Sequence, residues 1–256
     1  MLPPRSVFIT GGSAGIGRAL AVHYARAGAV VGVTGRRQPL LDALVAEHPQ
    51  HIAAFSADVR DAAAMARAAH EFIGTYGAPD IVYANAGVSA GTATEHAADL
   101  AVFREVMEVN VLGLVHTFAP FIAPMRARGH GTLCGIASVA GIRGLPGAGA
   151  YSASKAAAIA YLEALRIEER GHGLRVVTVC PGYIATEMTA VNPYAMPFLL
   201  EVGDAARRIA RVAEAGRRLA IVPWQMAIVG RLMRLVPGAL WDRALAGAKR
   251  KPRRLS

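Results

Sequence analysis

Val7-Phe8-Ile9-Thr10-Gly11-Gly12-Ser13-Ala14-Gly15-Ile16-Gly17 is the stretch that decides the fold. An apolar run continuous enough for a strand buried on both faces passes into a turn of small residues. It then enters the Ala-rich stretch Gly15–Ala27, which reads as a helix. Glycines at 11, 15 and 17 allow a tight turn and let backbone N–H groups approach a pyrophosphate at the positive end of that helix. The spacing is G-x-x-x-G-x-G rather than G-x-G-x-x-G, so the turn alone could be a plain strand–helix connection. Its place after the first strand favours dinucleotide binding, with Gly11, Ser13, Gly15, Ile16 and Gly17 as the contacts.

The same rhythm repeats outward from this point. Apolar runs recur at Val30–Thr34, Ile52–Phe55, Ile81–Tyr83, Thr132–Ile136, Val176–Val179 and Leu219–Val222. Between them lie helical stretches at Leu40–Glu47, Ala62–Thr75, Ala98–Ala127, Tyr151–Arg170 and Asp204–Ala215. Strands alternating with helices predict right-handed crossovers and a Rossmann-type α/β fold, a doubly wound parallel seven-stranded sheet with helices on both faces. One domain is expected over residues 1–223, with an extension at 224–256. Residues 183–203 break the rhythm: they follow a strand, are apolar and carry two prolines, which fits a substrate lid at the carboxyl edge of the sheet.

Composition narrows the classes. The 256 residues are 54% hydrophobic and 18% charged, which excludes a disordered chain. Cys134 and Cys180 fall inside strands and read as buried core thiols, too few for a disulfide framework, so a reducing cytoplasm is expected. The start of the chain has no signal-peptide pattern, no apolar run reaches the length of a membrane span, and the eight histidines show no metal-ligand spacing. The net charge of +10 is uneven: residues 1–200 carry a net +1 and residues 201–256 a net +9.

Strand two ends in Thr34-Gly35-Arg36-Arg37, where an NAD-binding fold would place an acidic residue for the ribose hydroxyls. Guanidiniums suit a phosphate, so Arg36, with Arg37 behind it, points to NADP(H). Further on, Tyr151-Ser-Ala-Ser-Lys155 puts Tyr and Lys on one helix face, after Ser138 at the end of strand five. Together with the Thr10–Gly17 turn, Asn85-Ala86-Gly87, Asn110 and Pro181-Gly182, in this order, the chain resembles the single-domain short-chain dehydrogenase/reductase family over about residues 5–223.

That resemblance implies a set of roles. Tyr151 is the acid in reduction and the base in oxidation, and a cation one turn away, Lys155, together with oxidised nicotinamide favours its phenolate. Ser138 bonds the substrate oxygen, Lys155 also holds the nicotinamide ribose, and Asn110 holds a water in a proton relay. Asp58 and Val59 match the adenine-binding pair, although Asp58 could instead cap the following helix. Asn85, Ala86 and Gly87 line the cofactor cleft and steady the central strands. Pro181, Gly182, Ile184 and Thr186 match the stretch that packs on the nicotinamide.

The extension departs from the family pattern and puts its usual tetramer in doubt in favour of a dimer. Trp224, Ile228, Leu232 and Leu235 recur at helical spacing, Pro237-Gly238 breaks the helix, and Lys249-Arg-Lys-Pro-Arg-Arg254 follows. An apolar stripe with a basic end suits either a membrane surface or a helix pair packed on the domain. The terminal basic run is expected to be solvated, and with no recognition motif beside it no nucleic-acid partner is expected. The expected activity is NADPH-dependent reduction of an apolar or lipid-like ketone, of 3-keto acyl or 3-keto sphingoid type. An oxidative alcohol or steroid dehydrogenase and a cofactor-sensing protein without turnover are the alternatives.

Overall fold

The computed structural model describes residues 5–253, so the start of the chain and the last basic residue, Arg254, lie outside the described residues. Every strand expected from the apolar runs is present: β1 (Ser6–Thr10), β2 (Val30–Gly35), β3 (Ile52–Ser56), β4 (Ile81–Ala84), β5 (Gly131–Ile136), β6 (Leu174–Pro181) and β7 (Leu219–Val222). They pair in parallel in the order β3-β2-β1-β4-β5-β6-β7. The helices are α1 (Gly15–Arg26), α2 (Gln38–Glu47), α3 (Ala62–Tyr76), α4 (Asp99–Met107), α5 (Gly113–Arg128), α6 (Gly149–Glu168), α7 (Glu187–Ala190), α8 (Val202–Glu214), α9 (Trp224–Leu235) and α10 (Gly238–Leu245). A π-helical turn, Glu108–Leu112, joins α4 to α5.

The pleat of each strand divides the core in two. Val7 and Ile9 face Leu20, Tyr24, Leu44 and Ile209 of α1, α2 and α8. Phe8 faces Phe72, Phe118, Phe121 and Leu162 of α3, α5 and α6. The rings of Phe8 and Phe121 are 4.7 Å apart, and Phe72 meets Phe8 edge-on at 5.3 Å. The continuous helix Asp99–Arg128 is long and apolar enough to cross a bilayer by length and composition, a property that inspection for unbroken apolar runs overlooks. Here its apolar side chains Leu114, Phe118, Phe121 and Met125 are buried in this second layer.

The extension packs α9 on the domain by the face opposite its apolar stripe, and departs from the sequence expectation only in its terminal basic run. The stripe of Trp224, Ile228, Leu232 and Leu235 faces outward, with Leu235 77% exposed. Met226 and Gly230 face inward instead, and the side-chain tips of Ile142 and Ile221 lie close to Gly230. The terminal basic run is not solvated throughout, since Lys251 is buried and Arg253 is ion-paired to Asp99. Arg143 anchors the helix pair, donating to the Met233 carbonyl at 2.6 Å at the end of α9 and lying 4.6 Å over the Trp241 ring of α10.

The second core layer leaves no room at Gly32, where a Cβ would lie 2.6 Å from the Phe72 ring and 2.7 Å from Phe8. Gly32→Ala is therefore expected to lower stability by about 1–3 kcal/mol through overpacking. Gly74, inside α3 with nothing within 4 Å of its added Cβ, sets the contrast. Gly74→Ala is expected to raise stability by about 1 kcal/mol. Urea denaturation reads both as opposite midpoint shifts with an unchanged slope.

Candidate active site

The strand order reverses between β1 and β4, so their carboxyl ends open a crevice. Thr10, wholly buried, holds the two ends together. Its hydroxyl donates to the Tyr83 carbonyl at 3.2 Å and accepts from the backbone N–H groups of Asn85 and Ala86. The Asn85 amide returns a bond to the Thr10 carbonyl at 3.0 Å. The turn between β1 and α1 is bare backbone on this side. Gly11 and Gly15 have φ of +68° and +53°, and a Cβ at Gly11 would lie 2.8 Å from Ala86 Cα. A Cβ at Gly17 would collide with the Gly11 carbonyl and Asn85, so Gly17 shapes the turn from behind rather than lining the cleft.

A cleft of 590 Å³ runs from this turn along the carboxyl edge of the sheet. Of the cofactor contacts expected from sequence, Gly11, Ser13, Gly15 and Ile16 line its floor, and Asn85, Ala86 and Gly87 its middle. The N-terminus of α1 has neither a side-chain cap nor an acidic residue in its first turn, so its N–H groups are left for an anion. This bare cradle fits the pyrophosphate of a dinucleotide.

At one end of the cleft stand Arg36, Arg37, Asp58 and Val59. Asp58 does not cap α3; Asp61 does, accepting from Ala64 N at 3.0 Å. The Asp58 carboxylate is instead gripped by Arg60, with Nη2 at 2.6 Å and Nε at 3.0 Å, and the Arg60 guanidinium holds its pKa below the usual carboxylate value. Arg36 approaches Asp58 only to 3.9 Å and is half exposed, which leaves its guanidinium open to another anion. Arg37 reaches Glu187 of α7 at 3.4 Å across the cleft mouth.

At the other end Ser138, Tyr151 and Lys155 come together with Pro181, Gly182, Ile184 and Thr186. Ser138 lies two residues past β5, and its hydroxyl accepts from Ala140 N at 3.1 Å. Burial pushes the Tyr151 phenol up, while a hydrogen bond from Ser138 draws it down. Lys155 Nζ donates to the Ile136 carbonyl at 2.8 Å and lies 5.8 Å from the Tyr151 ring centre. Burial lowers its pKa to about 8. Gly182 sits against Met226 of α9, which would meet an added Cβ at 2.7 Å. Paired backbone bonds between Tyr183 and Leu200 and between Ala185 and Leu200 close the neck of the lid, above which Met188, Val191, Phe198 and Leu199 are exposed.

Asn110 stands behind the cleft wall, in the π-helical turn. Its Oδ1 accepts from Val88 N at 2.8 Å, and its Nδ2 donates to the Val88 carbonyl and to Ser154 Oγ, each at 2.9 Å. With both amide protons engaged, the side chain ties its neighbours together. Through Ser154, which donates to the Tyr151 carbonyl at 2.8 Å, it ties the loop after β4 to the first turn of α6. Ser154, Arg60 and Thr10 are residues supporting the site that sequence reasoning gave no role. Two of them had a visible signal: Ser154 lies inside the Tyr151–Lys155 motif and Thr10 opens the glycine turn.

Cys134 and Cys180 are buried and unpaired with one another, as expected of core thiols, and burial raises both thiol pKa values, Cys180 to about 11. Among the described residues no cluster of His, Cys, Asp or Glu could hold a metal ion.

A family model described as short chain dehydrogenase matches residues 5–195. An uncharacterized oxidoreductase of Myxococcus xanthus is 37% identical over 243 residues, covering 94% of this chain and 96% of that protein. An uncharacterized oxidoreductase of Mycobacterium tuberculosis is 31% identical over 245 residues, covering 93% and 96%. The crystal structure of a short-chain dehydrogenase from Streptomyces avermitilis superposes with a TM-score of 0.81 at 27% identity, over 96% of this chain and 99% of that one. With the same sheet, and matches along nearly its whole length, the chain belongs to the short-chain dehydrogenase/reductase family, oxidoreductases that use nicotinamide cofactors.

Proposed function

We propose that the protein is an NADPH-dependent reductase that converts a ketone to a secondary alcohol, on a substrate with an apolar, lipid-like body. The observation that carries this reading is one cleft with an open Arg36 at the end of β2 and Ser138, Tyr151 and Lys155 at its far end. A guanidinium held only loosely by Asp58 favours the additional phosphate of NADPH, which an acidic residue in its place would repel. The exposed apolar side chains of the lid favour an apolar substrate body. The same reading makes the protein a cytoplasmic dimer that also meets a membrane surface, with the outward stripe of α9 as its contact.

The nicotinamide, when bound, supplies the hydride that the carbonyl carbon accepts. Ser138 hydrogen-bonds the carbonyl oxygen and orients it toward Tyr151. As the C=O π pair moves onto that oxygen, the Tyr151 hydroxyl gives it a proton, leaving a phenolate and the alcohol. Burial disfavours the phenolate, so Tyr151 enters the step as the protonated acid. Lys155 steadies the phenolate and can return its proton, because a pKa of about 8 leaves the ammonium charged yet acidic enough to share a proton near neutrality. With one proton committed to the Ile136 carbonyl, it has two left for Tyr151 and the cofactor ribose.

Two measurements test the reading. Tyr151→Phe is expected to reduce kcat about a thousandfold with NADPH affinity kept, since the lost hydroxyl acts only on the reacting oxygen. Near-normal turnover would reject Tyr151 as the acid. Arg36→Asp is expected to lower the preference for NADPH over NADH at least about tenfold in kcat/KM, by exchanging attraction for repulsion at the phosphate. An unchanged preference would move that contact elsewhere, Arg37 first.

A further inference from the structure

The C-terminal segment returns to the rim of the active-site cleft and is fastened there at four points. Gly91 N donates to the Pro252 carbonyl at 3.0 Å, and Gly91 and Arg253 form a parallel β-bridge. Arg253 holds Asp99 through Nε at 2.7 Å and Nη2 at 3.0 Å, and that carboxylate also accepts from Ala93 N. The Arg250 side chain lies on Gly147, where φ is +72° and an added Cβ would meet it at 2.7 Å. Gly91 is two residues past Ser89 of the cleft lining, and Gly147 is four residues before Tyr151, so the strap bridges the loops on either side of the reacting end. A Cβ at Gly91 would collide with the Lys251 carbonyl, which makes this a close-fitted seat.

Within the strap, Lys251 points inward. It is 8% exposed, and its Nζ lies 6.0 Å from the Tyr151 ring centre, beside the same ring that Lys155 approaches. No carboxylate among the described residues pairs with it, for the nearby Asp99 is taken by Arg253. Burial therefore lowers its pKa with nothing set against it. Ammonium groups are rarely buried to this degree without an anionic partner, since desolvation of the charge goes uncompensated. Arg253 has its carboxylate within the chain; the buried Lys251 has none among the described residues.

We propose that the strap completes the substrate pocket and that Lys251 selects carbonyl substrates bearing an anionic group, a carboxylate or sulfonate, close to the reacting ketone. The proposal rests on the reductase reading and sharpens it. The substrate is an amphiphile, with its charged end held at the strap, its ketone at Tyr151 and its apolar body under the lid. Lys251 then determines specificity and takes no part in the proton transfer.

The test uses the full-length protein saturated with NADPH and a set of oxodecanoates, with the ketone at successive positions, each beside its neutral methyl ester. The wild type is expected to favour the carboxylate at one or more positions by at least about tenfold in kcat/KM. Lys251→Met is expected to bring that ratio to near unity, and Lys251→Arg to restore it. An equal carboxylate-to-ester ratio in wild type and Lys251→Met would overturn the proposal while leaving ketone reduction intact. A shift of the pH profile by Lys251→Met that is the same for acids and esters would also overturn it, assigning Lys251 to Tyr151 instead. If no ketone is turned over, the reductase reading fails, and calorimetry with decanoate on the NADPH complex still decides the strap. Binding that weakens at least about tenfold in Lys251→Met supports the anion site; equal binding, or none in the wild type, overturns it.

Discussion

The hydroxyl of Thr10 is the point on which the site depends. It sits where the sheet changes direction, and two strands that run side by side must there send their chains to opposite faces. Each parting strand leaves backbone N–H groups that a parallel ladder no longer satisfies. The Thr10 hydroxyl and the Asn85 amide meet that need with side chains, from N–H groups of residues 85 and 86 and carbonyls of residues 10 and 83. Such bonds contribute only about 1 kcal/mol each, yet leaving buried groups unpaired costs more than the bonds contribute. Because both strands are clasped at one residue, the glycine turn and the middle of the cleft are set relative to one another by the core and not by loops.

The reacting end is built on the same economy of partners. Asn110 uses its acceptor on Val88 N and its donors on the Val88 carbonyl and Ser154, while Ser154 bonds the carbonyl of Tyr151. A wider helical turn is what brings Asn110 to this place, and π-helical turns inside longer helices recur where function needs a side chain re-aimed. The rigid frame matters because the titrating groups are buried. Tyr151 is held toward its protonated form and Lys155 is lowered to about 8, so both respond strongly to any charge brought into the cleft.

What could be read in the sequence was what local pattern determines. Seven apolar runs became seven strands: the central ones are buried along their length and need only apolar side chains in succession, and the edge strands β3 and β7 keep the same pattern with part of it exposed. The glycine turn, Ser138 and the Tyr151–Lys155 pair were legible because each belongs to a strand end or to a single helix face. Arg60 was not, because its grip on Asp58 depends on the shape of the turn after β3. The orientation of α9 was hidden for a different reason. Its large apolar residues define a clear face, but the opposite face, with Met226 and Gly230, is the one buried against the domain.

The basic tail shows the same limit most sharply. Its net charge reads as a solvated end, because charge alone says nothing about distant partners. Asp99 lies 154 residues before Arg253, and only the folded sheet brings the two together. That ion pair is also what orders the strap, and the order has a consequence for the neighbouring residue. A free tail would keep the Lys251 ammonium in water at no cost; a tail fastened on both sides of position 251, by Arg250 on Gly147 and by Arg253 on Asp99, leaves it no such choice. The desolvation of Lys251 is thus imposed by its neighbours, and a charge forced out of water by a well-partnered backbone is a charge held ready for a ligand that can meet it.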